Sequence, residues 1–284
     1  YRTVASVFAE IQIVKDLSLR STVYADISNV NYRHYEPLYY AYDVESGSPY
    51  LEGKTTSVNE SDDTYRKFQQ DHILNYKKKV GAHSFNATAG FTTYYFSRFG
   101  RSATVKQSAT GDPIPNDKRF WYISNGFGDP LSQKSSSSQN ERSTVSGLFR
   151  LLYSYQNKYF VNGSYRKDAS SQISPNNRWQ DFWAVGAAWD ISKENFMSNQ
   201  KIFDYLKLKG SVGVLGNQNT YGYDYPYYPS LRSGEAAVFG DLVYNAYSQA
   251  YLPNPNLKWE SVLASEVGVE MVLLDNRLNF EANY

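Results

Sequence analysis

Apolar and polar side chains alternate along most of the sequence with a period of two residues. Between Leu278 and Tyr284, every second residue is apolar or aromatic, and the residues between them are asparagine or glutamate. The same alternation runs through 159–168 and 265–273, whereas the 3.6-residue period of an amphipathic helix is nearly absent. A period of two is typical of strands that bury one face. The pattern therefore predicts an all-β protein with about ten strands.

Many of these strands are long enough to cross a bilayer, which takes ~9–11 residues at the usual tilt. Strands of soluble proteins are typically shorter, ~5–6 residues. Short turns are predicted at 14–16, 78–81, 156–158 and 274–277, and long polar loops near 31–70, 100–140, 170–178 and 217–258. Short turns at one end of the strands and long extracellular loops at the other are typical of outer-membrane proteins. We therefore expect an antiparallel transmembrane β-barrel.

The composition is consistent with this expectation. The chain of 284 residues contains 27 Tyr, 15 Phe and 5 Trp, and such amphipathic rings suit sheet surfaces and bilayer interfaces. The mean hydropathy of -0.58 does not argue against a barrel, because only alternate residues of a barrel strand face lipid. The net charge of +1 gives no reason to expect a nucleic-acid partner.

Three segments of the C-terminal half resemble one family of membrane transporters. Residues 164–189 read SYRKDASSQISPNNRWQDFWAVGAAW, 206–219 read LKLKGSVGVLGNQN, and 254–279 read NPNLKWESVLASEVGVEMVLLDNRLN. In this order they resemble the SusC/RagA-like TonB-dependent outer-membrane transporters of Bacteroidetes. The motif residues that we carry over, in a structural role, are Arg166, Asp168, Asn177, Arg178, Trp179, Asn217, Gln218, Trp259 and Glu260. Ala169, the stretch 172–174 and Trp183 depart from the family pattern.

The resemblance carries expectations about the whole protein. Family members look like barrels of about 22 strands that are closed by an N-terminal plug domain. They import glycans or peptides across the bacterial outer membrane, draw energy from a TonB complex, and pair with a SusD-like lipoprotein that acts as a lid. We interpret residues 1–284 as a partial barrel domain, with the plug domain and the TonB-contacting segment expected outside this chain.

Catalytic and metal-binding patterns are weak. His34, His72 and His83 are scattered and have neither triad nor metal-ligand spacing, so no enzyme is expected. Acidic clusters such as Asp62-Asp63 could ligate calcium in a loop, but they lack EF-hand spacing. We therefore expect solvated loop tips and no cofactor.

Aromatic residues in the long loops are the candidate ligand contacts. Trp121 and Tyr122 lie in one predicted loop, and Tyr221, Tyr223 and Tyr225 lie in another. Flat rings can stack on a sugar or on a peptide side chain, although packing between loops or an interfacial aromatic girdle is the alternative interpretation. On the strands, Glu260, Glu266 and Glu270 are expected to pair with Lys207 or Lys209 across neighbouring strands.

Two alternative functions stay open at this point. One is a TonB-independent porin or adhesin of the outer membrane. The other is a secreted, soluble β-protein that binds carbohydrate, such as a sandwich or a propeller.

Overall fold

The structure is a computed structural model, and it describes residues 1–125, 133–220 and 222–284. In these ranges the chain forms fourteen β-strands and a few short 3-10 turns. The strands are β1 (Arg2–Val14), β2 (Leu17–Glu36), β3 (Tyr39–Asp43), β4 (Ser48–Gly53), β5 (Thr55–Val80), β6 (His83–Ser108), β7 (Lys134–Tyr155), β8 (Tyr159–Ser170), β9 (Trp179–Asp190), β10 (Phe203–Asn217), β11 (Leu231–Phe239), β12 (Leu242–Gln249), β13 (Glu260–Leu273) and β14 (Leu278–Asn283). None of the helical segments in the described ranges is long and apolar enough to span a membrane.

Ten of these strands form one sheet in which neighbours in space are also neighbours along the chain. The order is β1-β2-β5-β6-β7-β8-β9-β10-β13-β14, and the hairpins β3-β4 and β11-β12 are separate insertions in the connections. The registers from β7 to β14 in this sheet are antiparallel. The predicted all-β antiparallel fold is confirmed, and so is the expected number of strands.

The chain divides into two compact units, which are described separately. Unit 1 comprises Tyr1–Ala5, Ala25–Phe68 and Phe96–Glu141, and unit 2 comprises Ser6–Tyr24, Gln69–Tyr95 and Arg142–Tyr284. Several long strands pass from one unit into the other.

Strands in unit 1 extend into sequence that was predicted to be loop, which corrects the loop limits near 31–70 and 100–140. β2 continues to Glu36, β5 begins at Thr55, β6 continues to Ser108 and β7 begins at Lys134. Polar contacts in the extended region include Asn59 Nδ2 to Thr104 Oγ1 at 2.6 Å and Ser102 Oγ to Ser136 Oγ at 2.9 Å. When both faces of a strand are polar the period-two signal disappears, although the backbone still pairs. The predicted loops at 170–178 and 217–258 lie between strands of the main sheet, and the second contains the hairpin β11-β12.

One face of the sheet in unit 2 carries large apolar side chains that no protein atoms cover. The antiparallel registers align these side chains in rows that cross the strands. One row is Leu151, Gly163, Val185 and Val212, and the next is Tyr153, Val161, Ala187, Gly210 and Val267. Val185 is 50% exposed and Val267 is 63% exposed. A contiguous apolar surface of this kind marks contact with a membrane or with another protein.

Aromatic side chains flank this apolar face at both ends. At the end with short turns, the ring of Tyr159 lies 6.3 Å from Tyr155 and 6.5 Å from Trp189, in stacked arrangements. Towards the other end, Phe149, Tyr165 and Trp183 are aligned across β7, β8 and β9. Two aromatic rows around an apolar band are the pattern expected where a barrel passes through the two bilayer interfaces.

The opposite face of the same strands is polar. Lys209 Nζ donates to Glu270 on β13 at 2.8 Å and to Glu281 on β14 at 2.5 Å, and Lys207 lies 3.6 Å from Glu270. The predicted pairing of Glu270 is therefore correct. It is wrong for Glu260, which accepts a hydrogen bond from Asn217 Nδ2, and Glu266 lies opposite Ser211 rather than a lysine.

The partly buried carboxylate of Glu194 holds the connection between β9 and β10 against the ends of β8 and β9. Glu194 accepts hydrogen bonds from Lys158 Nζ at 3.0 Å, from Trp189 Nε1 at 2.9 Å and from the Tyr159 hydroxyl. Hydrogen bonds from Tyr159, Lys158 and Trp189 lower the pKa of Glu194 from 4.5 to about 2. The charged form of Glu194 therefore stabilises the folded state.

Replacing this carboxylate should change how stability depends on pH. Because its folded pKa is depressed, the contribution of Glu194 is fully present above pH 4.5 and is lost as the pH falls towards about 2. We expect Glu194→Gln to lower the free energy of unfolding at neutral pH and to flatten its fall over that range. Denaturant unfolding of the purified protein at a series of pH values measures both effects.

Asp275→Asn, in the short turn between β13 and β14, is the matched control. It should leave the pH dependence in place. An unchanged pH profile for Glu194→Gln would contradict the stabilising role of this carboxylate.

Candidate functional site

A polar cavity of about 450 Å³ lies in unit 2, where β10 ends and the long connection to β13 begins. Four side-chain amides line it, from Gln172, Asn217, Gln218 and Asn219. Two aromatic rings, Tyr94 on β6 and Tyr223, and the oppositely charged Arg142 and Asp224 complete most of its wall. The cavity thus combines hydrogen-bonding groups with flat rings, as ligand sites commonly do.

Local hydrogen bonds fix the segment that follows β10. Asn217 Oδ1 accepts from the backbone N–H of Asn219 at 2.9 Å, which turns the chain away from the strand. Asn217 Nδ2 donates to Glu260 at the start of β13 at 3.1 Å. Gly222 has a φ of +91°, a conformation that glycine adopts without steric cost. Gln172 Nε2 lies 3.4 Å from both Thr220 Oγ1 and the Asp224 carbonyl oxygen, and so ties the β8-β9 turn to this segment.

Beside the cavity, a buried cluster joins the three segments that resemble the transporter family. Ile173, Phe182 and Trp259 form this tryptophan cluster, in which Trp259 is 8% exposed, and Val214 on β10 packs against it. The rings of Phe182 and Trp259 meet edge to face at 5.5 Å, and Trp259 Nε1 donates to the Arg178 carbonyl oxygen at 3.0 Å. These contacts join the β8-β9 turn to the start of β13, more than 80 residues away along the chain.

Two further hydrogen bonds strengthen the same junction. Asn177 Nδ2 donates to the Asn256 carbonyl oxygen at 3.1 Å, and Ser174 Oγ donates to the Leu257 carbonyl oxygen at 2.8 Å. Arg166 forms an ion pair of 2.7 Å with Asp168, which is buried. Trp179 differs from the others, because its side chain is 54% exposed.

The aromatic residues predicted as ligand contacts do not form a single group. Tyr223 lines the cavity, whereas Tyr225 lies beside it with its ring 6.1 Å from Tyr227. Tyr221 lies outside the described residues. A ligand contact in the cavity therefore stays a prediction for Tyr223.

Trp121 and Tyr122 belong to unit 1 and take part in packing there. Trp121 stacks on Tyr35 with ring centroids 4.8 Å apart, and its Nε1 donates to the Pro115 carbonyl oxygen. It also packs against a small buried core formed by Val58, Val105 and Ile114. Tyr122 is exposed, and the guanidinium of Arg33 lies 4.6 Å from its ring centre. This arrangement matches the packing interpretation for Trp121.

Most of the residues that line the cavity were not singled out from the sequence, and Tyr94, Arg142 and Gln172 are examples. Tyr94 and Arg142 lie on different strands, so only the strand order and register reveal that they lie near the segment after β10. Gln172 had one signal in the sequence, since it stands where the segment 164–189 departs from the family pattern.

The sheet defines the class of protein. Antiparallel strands with an uncovered apolar face, two flanking aromatic rows and a polar opposite face are the features of a transmembrane β-barrel. The family model described as "TonB dependent receptor-like, beta-barrel" matches residues 11–284, and the chain belongs to this family. The recognition made from sequence motifs is confirmed, and members of this family are outer-membrane β-barrel proteins.

Curated relatives agree with this assignment. The chain is 29% identical over 214 residues to "TonB-dependent receptor P3" of Formosa agariphila, covering 75% of this chain and 20% of that protein. It is 29% identical over 237 residues to "TonB-dependent receptor SusC" of Bacteroides thetaiotaomicron, covering 81% of this chain and 22% of that protein. The chain thus spans about a fifth of the length of these relatives, whose names are those of receptors rather than enzymes.

Solved structures share the fold. A structure of the RagAB peptide importer in the "closed-closed" state superposes with a TM-score of 0.82 at 21% sequence identity, and the match covers 99% of this chain and 29% of that chain. The "open-open" state of the same importer gives a TM-score of 0.75.

Two motif tryptophans allow a direct test of the tryptophan cluster. Trp259→Ala removes a buried ring and its hydrogen bond, so we expect a loss of about 3–5 kcal/mol in the free energy of unfolding. Trp179→Ala removes an exposed ring and should cost clearly less. Denaturant unfolding in lipid vesicles measures both variants, and equal losses would argue against the cluster as the structural junction.

Proposed function

We propose that this chain forms part of the barrel wall of an outer-membrane transporter that takes up a nutrient, either a glycan or a peptide, with energy from a TonB complex. The observation that most strongly supports this proposal is the uncovered apolar face of the sheet. Large side chains such as Val161, Val185 and Val267 would be in unfavourable contact with water if the protein were soluble. Contact with bilayer hydrocarbon removes this cost, and the polar side chains of the same strands then face a water-filled interior.

The position of the polar cavity supports a role in ligand contact. It opens on the polar face, at the end of the strands that carries the long connections. In a barrel with this orientation, that end faces outward, where a nutrient arrives. The lining holds amide, hydroxyl and aromatic groups that can bind a ligand. We therefore assign binding and passage to this chain, with the energy supplied from elsewhere.

The partners follow from the family. We propose that a SusD-like surface lipoprotein covers the outer end of the complete barrel, and that a TonB complex engages a segment outside this chain. The support is the membership of the TonB-dependent receptor family and the fold shared with the barrel chain of the RagAB importer. The relatives are about four to five times longer than the matched segments, so a full-length protein has room for these parts.

Two consecutive residues on β10 test the membrane orientation. Val212 lies in an apolar row near the middle of the strands, and Ser211 lies on the polar face opposite Gly186 and Glu266. We expect Val212→Arg to reduce the amount of folded protein in the outer membrane, because an arginine at the bilayer midplane costs about 2–4 kcal/mol. Ser211→Arg, the matched control, should be tolerated.

Folded protein in each case is measured by membrane fractionation followed by heat-modifiable gel mobility. If both arginine variants accumulate like the parent protein, the apolar face does not contact hydrocarbon. A soluble protein would also be extracted in buffer without detergent.

Uptake distinguishes active transport from a passive pore. Deleting the gene for the full-length protein should abolish growth on its nutrient, and dissipating the proton gradient should abolish uptake in cells that retain the protein. The reason is that a TonB complex draws its energy from the inner membrane. Uptake that persists without the gradient would favour the porin alternative instead.

A further inference from the structure

The chemistry of the polar cavity separates the two substrate classes that the proposed function leaves open. We infer that the cavity is a binding subsite for a neutral, hydroxyl-rich ligand, an oligosaccharide, and that Gln218 is one of its recognition residues. This inference rests on the proposed function, since it names the substrate class of that transporter. The argument comes from the hydrogen-bonding groups, the charge and the rings of the cavity wall.

The hydrogen-bonding groups of the wall match those of a sugar. A side-chain amide offers an N–H₂ donor and a carbonyl acceptor, and a sugar hydroxyl likewise donates and accepts. Gln172, Asn217, Gln218 and Asn219 place four such amides around one cavity, and the hydroxyl groups of Thr144 and Thr220 add to them. A wall in which most groups can both donate and accept suits a ligand with closely spaced hydroxyls.

The charge of the wall suits a neutral ligand. Arg142 and Asp224 have opposite signs, so the formal charges of the lining side chains cancel. No aliphatic side chain lines the cavity among the described residues. A peptide carries terminal charges and varied side chains, which bind best to charged or apolar subsites. This cavity offers neither a net charge nor an aliphatic subsite among the described residues.

Tyrosine rings provide the remaining surface. Tyr94 and Tyr223 both line the cavity, and the Tyr223 side chain is 47% exposed. The ring of Tyr251 lies 4.8 Å from that of Tyr223 and fixes its position. The apolar C–H face of a sugar can pack against such a ring while its hydroxyl groups bind the amides.

One buried hydrogen-bond acceptor, the side-chain oxygen of Gln218, lacks a donor among the described residues. The Oε1 atom of Gln218 is inaccessible to water and accepts no hydrogen bond from any described residue. A buried polar atom without a partner is costly, so native structures usually satisfy it. Gln218 lines the cavity, so a small rotation of its side-chain amide would turn Oε1 towards a ligand hydroxyl, which would donate to it and remove this cost.

Binding to purified full-length protein in detergent tests the inference. The probes are neutral oligosaccharide pools from xylan, mannan and β-glucan, and a tryptic digest of casein as the peptide probe, each titrated by calorimetry. We expect at least one oligosaccharide pool to bind and the peptide digest not to bind. Gln218→Ala should weaken the oligosaccharide affinity by at least about tenfold, the loss of one well-placed hydrogen bond.

Two further variants control for folding and location. Tyr223→Ala removes a half-exposed ring that lines the cavity, and it should also weaken binding. Gln249→Ala changes an exposed glutamine on β12, outside the cavity, and should leave the affinity unchanged.

The outcomes separate this inference from the proposed function. Binding of the peptide digest, binding of no oligosaccharide pool, or an affinity that neither Gln218→Ala nor Tyr223→Ala changes would overturn the inference. None of these results affects the membrane and uptake tests. Conversely, a protein that binds an oligosaccharide but is soluble in buffer would overturn the proposed function and leave the binding site in place.

Discussion

The structure depends on one constraint: hydrocarbon offers no hydrogen bonds to a backbone, so each strand in a bilayer must pair along its length with its neighbours. The antiparallel registers from β7 to β14 provide such backbone pairing between neighbouring strands of the sheet. Once the registers are fixed, the side-chain period of two assigns every residue to a face. Val212 and Ser211 are adjacent in the chain, yet the first belongs to the apolar surface and the second to the polar one.

The same alternation explains how much of the fold could be predicted. Segments such as 159–168 and 265–273 separate polar from apolar residues, and there the strands were found from the sequence. Beyond the apolar band, most side chains on both faces of β5, β6 and β7 are polar, so periodicity gave little signal for their extended ends. A strand of 26 residues is about 85–90 Å long, far more than a hydrocarbon core of ~30 Å requires. The polar extension is thus a consequence of strand length beyond the membrane.

The candidate site could be predicted only in part, for a different reason. The motif residues Asn177 and Trp259 were found by resemblance, but their contacts join positions about 80 residues apart, and no local pattern indicates such contacts. Tyr94 and Arg142 are ordinary polar-face residues until the strand order brings them to one cavity. Aromatic content alone gave a mixed result, since Tyr223 lines the cavity and Trp121 packs against Tyr35.

The turn between β8 and β9 connects stability to ligand contact. Gln172 lines the cavity, while its neighbour Ile173 is buried in the tryptophan cluster with Phe182 and Trp259. The cluster fixes the backbone of the β8-β9 turn. The turn positions the side-chain amide of Gln172 beside Thr220 and Asp224. A side chain held in this way loses little further conformational entropy when a ligand binds. The tryptophan cluster thus holds the β8-β9 part of the cavity wall in place before a ligand arrives.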